Sequence, residues 1–192
     1  MLNKEQKDDF SSLRIELIDL NILACLYIRK FNRIGFLFKE TTRHYILEEL
    51  TALRYMENGL ILHLTNLDDD SSNFSFRKIL KAINTTIKDQ EVIKNLKSDF
   101  DSFRRNVNSL KVKHRNKRIA HLNYTEDLNL DQFLNFDNVL KPLISQANVI
   151  GDKLWGERIK QEFKLGTYEG ILNFRELFKE LKADINSQKE FV

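Results

Sequence analysis

Cysteine, proline and tryptophan occur once each in this chain, and glycine only six times in 192 residues. A lone thiol, Cys25, excludes an intramolecular disulfide and a cysteine-based zinc site. Its setting, Ile22-Leu23-Ala24-Cys25-Leu26, predicts a small buried apolar role. With so few helix breakers, many short strands are excluded and long helices are favoured. Long hydrophobic runs are missing too. The most apolar stretch, Ile15 to Ile28, is interrupted by Glu16, Asp19 and Asn21 and is too short to span a bilayer. The opening residues Met1 to Asp9 are too polar for a secretory signal, so a cytoplasmic location and no membrane partner are expected. There is no Gly-rich phosphate loop, Ser elbow or Cys–His nucleophile pattern. The four histidines, His44, His63, His114 and His121, show no carboxylate spacing that would build a zinc site. No metal and no cofactor are expected.

What is present describes a soluble globular chain, with 42% hydrophobic and 31% charged residues. Fourteen phenylalanines suit helix–helix cores. The expected fold is all-α: an up-and-down helical bundle with long helices and extra terminal helices, forming one domain over residues 1–192. The spacing of Leu13, Leu17, Leu20, Ile22 and Leu23 predicts a first helix from about Lys4 to Lys30. It becomes apolar nearly all round between Ala24 and Ile28, so burial by its own core or by a second subunit is expected, with a break at Arg33-Ile34-Gly35. A second helix over Glu40 to Thr65 uses Tyr45, Ile46, Leu50, Leu53, Leu60, Ile61 and Leu64. Asp68 to Asn73 reads as a loop of backbone-bonding side chains; its three aspartates lack the alternation, central Gly and distal Glu of a calcium loop. A short helix around Phe76 to Ile87 follows. A central helix then starts near Asp89 as N-cap, with the seam Ile93, Leu96, Phe100, Phe103, Val107 and Leu110 in alternating steps of three and four. Asn129 resembles the start of a capping box, predicting a long helix from Leu130 to Lys164 with a kink near Pro142 or Gly151. A last helix is expected over Ile171, Phe174, Leu177, Phe178 and Leu181.

Charge is distributed unevenly. From Ser102 to Thr125 there are seven Lys or Arg and no Asp or Glu; taking these from the overall +3 leaves the remaining residues at a net −4. The density peaks in Lys111-Val112-Lys113-His114-Arg115-Asn116-Lys117-Arg118-Ile119-Ala120-His121. Such a run can simply be a solvated helix end that complements the macrodipole. Beside two imidazoles it also fits a phosphate-bearing partner, since Lys and Arg neutralise phosphates and His moves protons near neutral pH. Continuing the seam in the same phase places His114, Lys117 and His121 on the line facing the bundle, as the floor of a polar cleft.

The order Arg115-Asn116, then four residues, then His121 resembles the signature of the HEPN superfamily. In that signature an arginine and a polar neighbour precede a histidine by a short interval. The ending Ala120-His121, together with Leu60 to Asp68 and Phe74 to Leu80 upstream, is similar to the abortive-infection-type branch; the resemblance covers about residues 40 to 150. It implies a metal-independent endoribonuclease of a toxin–antitoxin or phage-defence system, in which a ribose 2′-OH attacks the adjacent phosphate to leave a 2′,3′-cyclic phosphate. Under that reading His121 is the general acid/base, Arg115 stabilises the phosphorane and Asn116 orients the His or the phosphate. Lys111, Lys113, His114, Lys117 and Arg118 then bind the RNA. Arg115 and His121 lie about 240° apart on an ideal helix. Either the helix ends near Ile119 or the two groups converge across a homodimer; family members commonly pair in this way. Two other functions stay open: a non-catalytic HEPN module that binds RNA, a nucleotide or a protein, and a dimeric scaffold whose basic patch takes an antitoxin or defence-system partner. In another branch a Tyr two residues before the His is the target of a nucleotidyltransferase antitoxin. Ile119 stands there in this chain, which argues against that control.

Overall fold

The computed structural model describes residues 4–72, 74–84, 89–120, 133–159, 162–164 and 171–183, with the backbone alone for 4–7, 117–120, 162–164 and 171–172. It is an all-α bundle. Helix α1 spans Lys4–Glu40, α2 Arg43–Asn66, α3 Phe76–Asn84 and α4 Gln90–Leu110. A π-helical segment, Lys111–Ala120, prolongs α4, and a second π-helical turn, Phe136–Leu140, leads into α5, Lys141–Trp155. The two short strands β1, Glu162–Lys164, and β2, Ile171–Asn173, pair antiparallel with Phe163 opposite Leu172. Helix α6, Phe174–Glu180, follows.

α1 is the spine, packing on α2, α3, α5 and α6. It runs ten residues past the expected end at Lys30 and passes through Gly35 unbroken. Phe31 and Ile34 are both buried, so packing of that last stretch outweighs the roughly 1 kcal/mol that a helical glycine costs. Ala24, Cys25, Tyr27 and Ile28 are buried within the single chain, whereas Leu26 stays about half exposed. Tyr27 sits in an aromatic cluster with Phe31, Phe133 and Phe136, and Phe178 packs on Phe136.

The seam of α4 is buried at every expected position, Ile93, Leu96, Phe100, Phe103, Val107 and Leu110. α3 closes over it: Phe76 stacks on Phe100 at 5.6 Å and meets Phe103 edge-on at 5.3 Å. Asp89 caps the helix by accepting from the amides of Glu91 and Val92.

The C-terminal third departs from expectation. Pro142 stands in the first turn of α5, immediately after the π-helical turn Phe136–Leu140, so the winding changes beside the proline. The helix stops at Gly156, whose φ of +82° forms a left-handed cap. The expected continuation to Lys164 is replaced by β1, and Ile171 lies in β2 rather than in the last helix. Asp152 secures this end: it accepts from the Ile159 amide and from both terminal nitrogens of Arg175 at 2.6–2.7 Å. The expected cap at Asn129 lies outside the described residues.

Candidate nucleic-acid interface

The basic stretch begins where the helical winding changes. After Leu110 the chain adopts i→i+5 winding, which is rare and favours functional sites. Phase extrapolated from the α4 seam therefore stops being valid at Lys111. Lys111, His114 and Arg115 are half-buried, and Val112, Lys113 and Asn116 are exposed. The side chains of Lys117 and Arg118, and the whole of His121, lie outside the described residues.

Opposite Lys111 and Arg115 lies the turn after α2. Asn66 ends that helix, and the backbone folds back through Asp68 N–H to Thr65, Asp69 N–H to Asn66 and Ser72 N–H to Asp69, until Phe76 N–H reaches Leu67 at 2.9 Å. Within this turn one carboxylate oxygen of Asp69 accepts from both the amide and the hydroxyl of Ser71, at 3.0 and 2.7 Å. Its other oxygen pairs with the Arg115 guanidinium at 2.8 Å. The Ser71 bonds and then Arg115 hold the Asp69 carboxyl down at about 2. Hydrogen bonds to the charged form favour it.

Asp68 is buried to 7% exposure between Lys111 Nζ at 3.6 Å and Arg104 Nε at 3.9 Å. Both distances exceed a direct hydrogen bond. Burial accordingly pushes the Asp68 carboxyl up, against the opposing pull of Lys111 and Arg104. Asp70, further out, pairs with Arg77 of α3 at 3.1 Å. Each aspartate of the run thus faces a cation, and two of them face the stretch singled out as basic. The sequence from Ser102 to Thr125 contains no carboxylate of its own; the turn after α2 supplies two carboxylates to it. One-dimensional spacing recognised the loop chemistry of Asp68 to Asp70 but not its partners. The available signal was complementarity, a compact acidic run upstream of a compact basic one.

Among the described residues no three of His, Cys, Asp and Glu converge as metal ligands. Asp68 and Asp69 are committed to cations. His63 bonds Glu16 at 2.8 Å on the α1 side of α2; burial works against its protonation, but the bond to Glu16 and the nearby charges of Glu16 and Asp19 outweigh that and raise its pKa. His44 is exposed in the first turn of α2. Cys25 is buried, donates to the Phe174 carbonyl at 3.0 Å and has its pKa raised to about 12 by burial. As a thiolate nucleophile it is inert. One groove lies between α4 and α5, and a second, about 280 Å³, is lined by Arg77, Leu80, Lys81, Lys97, Phe100 and Asp101. Arg115 and His114 are not among the residues lining either groove. Among the described residues no helix is long and apolar enough to cross a membrane.

No protein-family model matches this chain, and no curated protein or solved structure matches it.

Proposed function

We propose that the chain is a HEPN-type endoribonuclease of a toxin or phage-defence system, acting without metal as a homodimer. The observation that carries this reading is the placement of Arg115. It belongs to the Arg-Asn-x-x-x-x-His order, sits on a loosened helical segment, and is oriented by a carboxylate that is itself locked by Ser71. A guanidinium presented in this way can exchange a carboxylate for a phosphate, because the same fork of donors suits both anions. In the reaction His121 takes the proton of the attacking 2′-OH and returns one to the leaving 5′-oxygen. Arg115 stabilises the charge that develops on the phosphorane, Asn116 orients the phosphate or the imidazole, and Lys111, Lys113, His114, Lys117 and Arg118 hold the RNA backbone. A second copy of the chain brings a second motif to the same cleft.

The Asp69–Arg115 pair also favours one alternative, a non-catalytic HEPN module that binds RNA through the same basic stretch. Single-turnover cleavage, RNA affinity and melting temperature measured on one His121→Ala preparation separate the two. The enzyme reading expects cleavage to fall by about 10²–10⁴-fold, with affinity and stability nearly unchanged, and wild-type cleavage to persist in EDTA. Unchanged cleavage, cleavage that needs Mg²⁺ after chelation, or a strictly monomeric active species refutes it.

A further inference from the structure

The positions one residue after each buried seam position of α4 are Lys94, Lys97, Asp101, Arg104, Asn108 and Lys111. They lie side by side along one flank, about 100° round from the seam. Contacts fix where this flank points. Lys97 and Asp101 line the groove shared with Arg77 and Lys81 of α3. Arg104 and Lys111 reach Asp68, and Arg115 reaches Asp69. The other flank is different in kind: Asp99, Ser102 and Asn106 bond Lys153 and Gln146 of α5. The open flank therefore carries Lys94, Lys97, Arg104 and Lys111 with one carboxylate, Asp101, and one amide, Asn108, whereas the groups bonded to α5 on the packed flank are acidic or neutral.

We propose that this flank is a binding track for the phosphate backbone of single-stranded RNA. It would run along the α3–α4 groove from Lys97 and Lys81 past Arg104 to Lys111 and Arg115. The proposal rests on the reading of the motif as an RNA-cleaving site, and it adds a subsite for the strand flanking the cleaved phosphate. From Lys97 to Lys111 the helix rises about 21 Å, room for roughly six stacked nucleotides at ~3.4 Å each. Lys81, Lys94 and Lys97 are exposed, and Arg104 is about half exposed, so phosphates can reach them without displacing core residues. The groove is shallow and is floored by Leu80 and the edge of Phe100, both largely buried. Among the described residues that line it there is no large exposed aromatic on which bases could stack; recognition would be of the backbone and would tolerate many sequences. The acidic turn sits beside the end of the track, where Asp68 faces Arg104 and Lys111 and Asp69 pairs with Arg115.

The test uses a fluorescein-labelled oligouridylate and fluorescence anisotropy across a salt series, with the full-length protein. The track variant is Lys81→Glu with Lys97→Glu. The charge-matched control is Lys39→Glu with Arg43→Glu, at the far tip of the α1–α2 hairpin. All four residues are exposed, and circular dichroism verifies the fold. The track expects affinity to fall by about 10–100-fold in the first variant. The slope of log affinity against log salt should shrink by about 1.4, or ~0.7 for each single-strand phosphate no longer neutralised. The control should change affinity by less than about 3-fold, because it lies more than a Debye length from the track. Equal losses in both variants would mean general charge attraction and overturn the track. Unchanged binding in the track variant, with loss in Lys111→Glu/Lys113→Glu, would confine RNA to the motif; that overturns the track and leaves the proposed function standing. Wild-type protein that binds no oligouridylate overturns both, and points to an acidic protein as the ligand of the stripe.

Discussion

Glu57 is the carboxylate whose removal should be felt most. It is fully buried in the middle of α2, accepts from Arg54 at 2.9 Å and from the amide of Leu134 at 2.5 Å, and so ties the chain entering α5 to α2. Arg54 in turn lies 4.8 Å from the centre of the Phe133 ring. Glu57→Ala deletes the acceptor and leaves a buried amide and a largely buried guanidinium without this carboxylate. Hydrogen bonds to charged groups are worth about 1.5–3 kcal/mol each, and breaking a buried ion pair from one side costs about 3–5 kcal/mol. The two figures describe overlapping losses, so a total of about 3–5 kcal/mol is expected. Glu57→Gln keeps an acceptor for Leu134 but turns a neutral amide toward Arg54, and should cost about half as much. Urea unfolding measures both, followed through the only tryptophan, Trp155, which packs edge-on to Phe10 at the α1–α5 contact. The midpoint should fall with an unchanged slope. A Glu57→Ala loss below about 1 kcal/mol, or Gln and Ala costing the same, would refute the view that this carboxylate anchors the return of the chain.

Gly151 is packed so closely that a methyl group there would lie 2.3 Å from Cδ1 of fully buried Leu17 and 3.3 Å from Ile159. Gly151→Ala should therefore destabilise by about 1–2 kcal/mol, overpacking outweighing the gain in helix propensity, and Leu17→Val in the same chain should recover part of it; an Ala variant more stable than wild type would refute the contact. Asp69 has a carboxyl held at about 2, below its ordinary value of 3.8, so its contribution is complete above roughly pH 4 and is lost as pH falls toward about 2. After solvent screening that contribution is about 1 kcal/mol. Asp69→Asn should show this deficit in urea melts at neutral pH and none near pH 2, and a deficit that persists in acid would assign it to lost packing.

Periodicity reads what is periodic. The α4 seam and the Asp89 cap were legible because 3.6-residue spacing and a lone N-cap residue each have one structural consequence. In α2, Ile46, Leu53, Leu60, Ile61 and Leu64 are buried as spaced, while Tyr45 is exposed beyond the reach of the core. The end of α1 was misread because a glycine weakens a helix by a fixed small amount, whereas burial of Phe31 and Ile34 depends on partners far along the chain. Trp155-Gly156 carries a stop signal of the ordinary kind, but the helix spacing around it does not mark that glycine as the end. The change of winding at Lys111 had no signal at all, since a pattern read at 3.6 residues per turn presumes the geometry it is meant to detect. The Asp69–Arg115 contact joins residues with α3 and α4 between them, and no spacing rule reaches that far.

That contact and the Glu57 anchor have one origin. Arg115 is held by the turn that follows α2, and Leu134 is held by Glu57 within α2. Glu57 stands nine residues before Asn66, the last residue of α2, about 14 Å at 1.5 Å per residue, and Asp69 lies in the turn just beyond it. Arg115 and Leu134 are thus held by α2 and by the turn that follows it. Glu57→Gln then does two separable things: it lowers stability by the amount argued above, and it loosens the tie at Leu134 while leaving the Arg115 contact in place. A chemical step that slows under conditions where the variant is still fully folded belongs to positioning. A chemical step that follows only the folded fraction leaves α2 a structural role and nothing more.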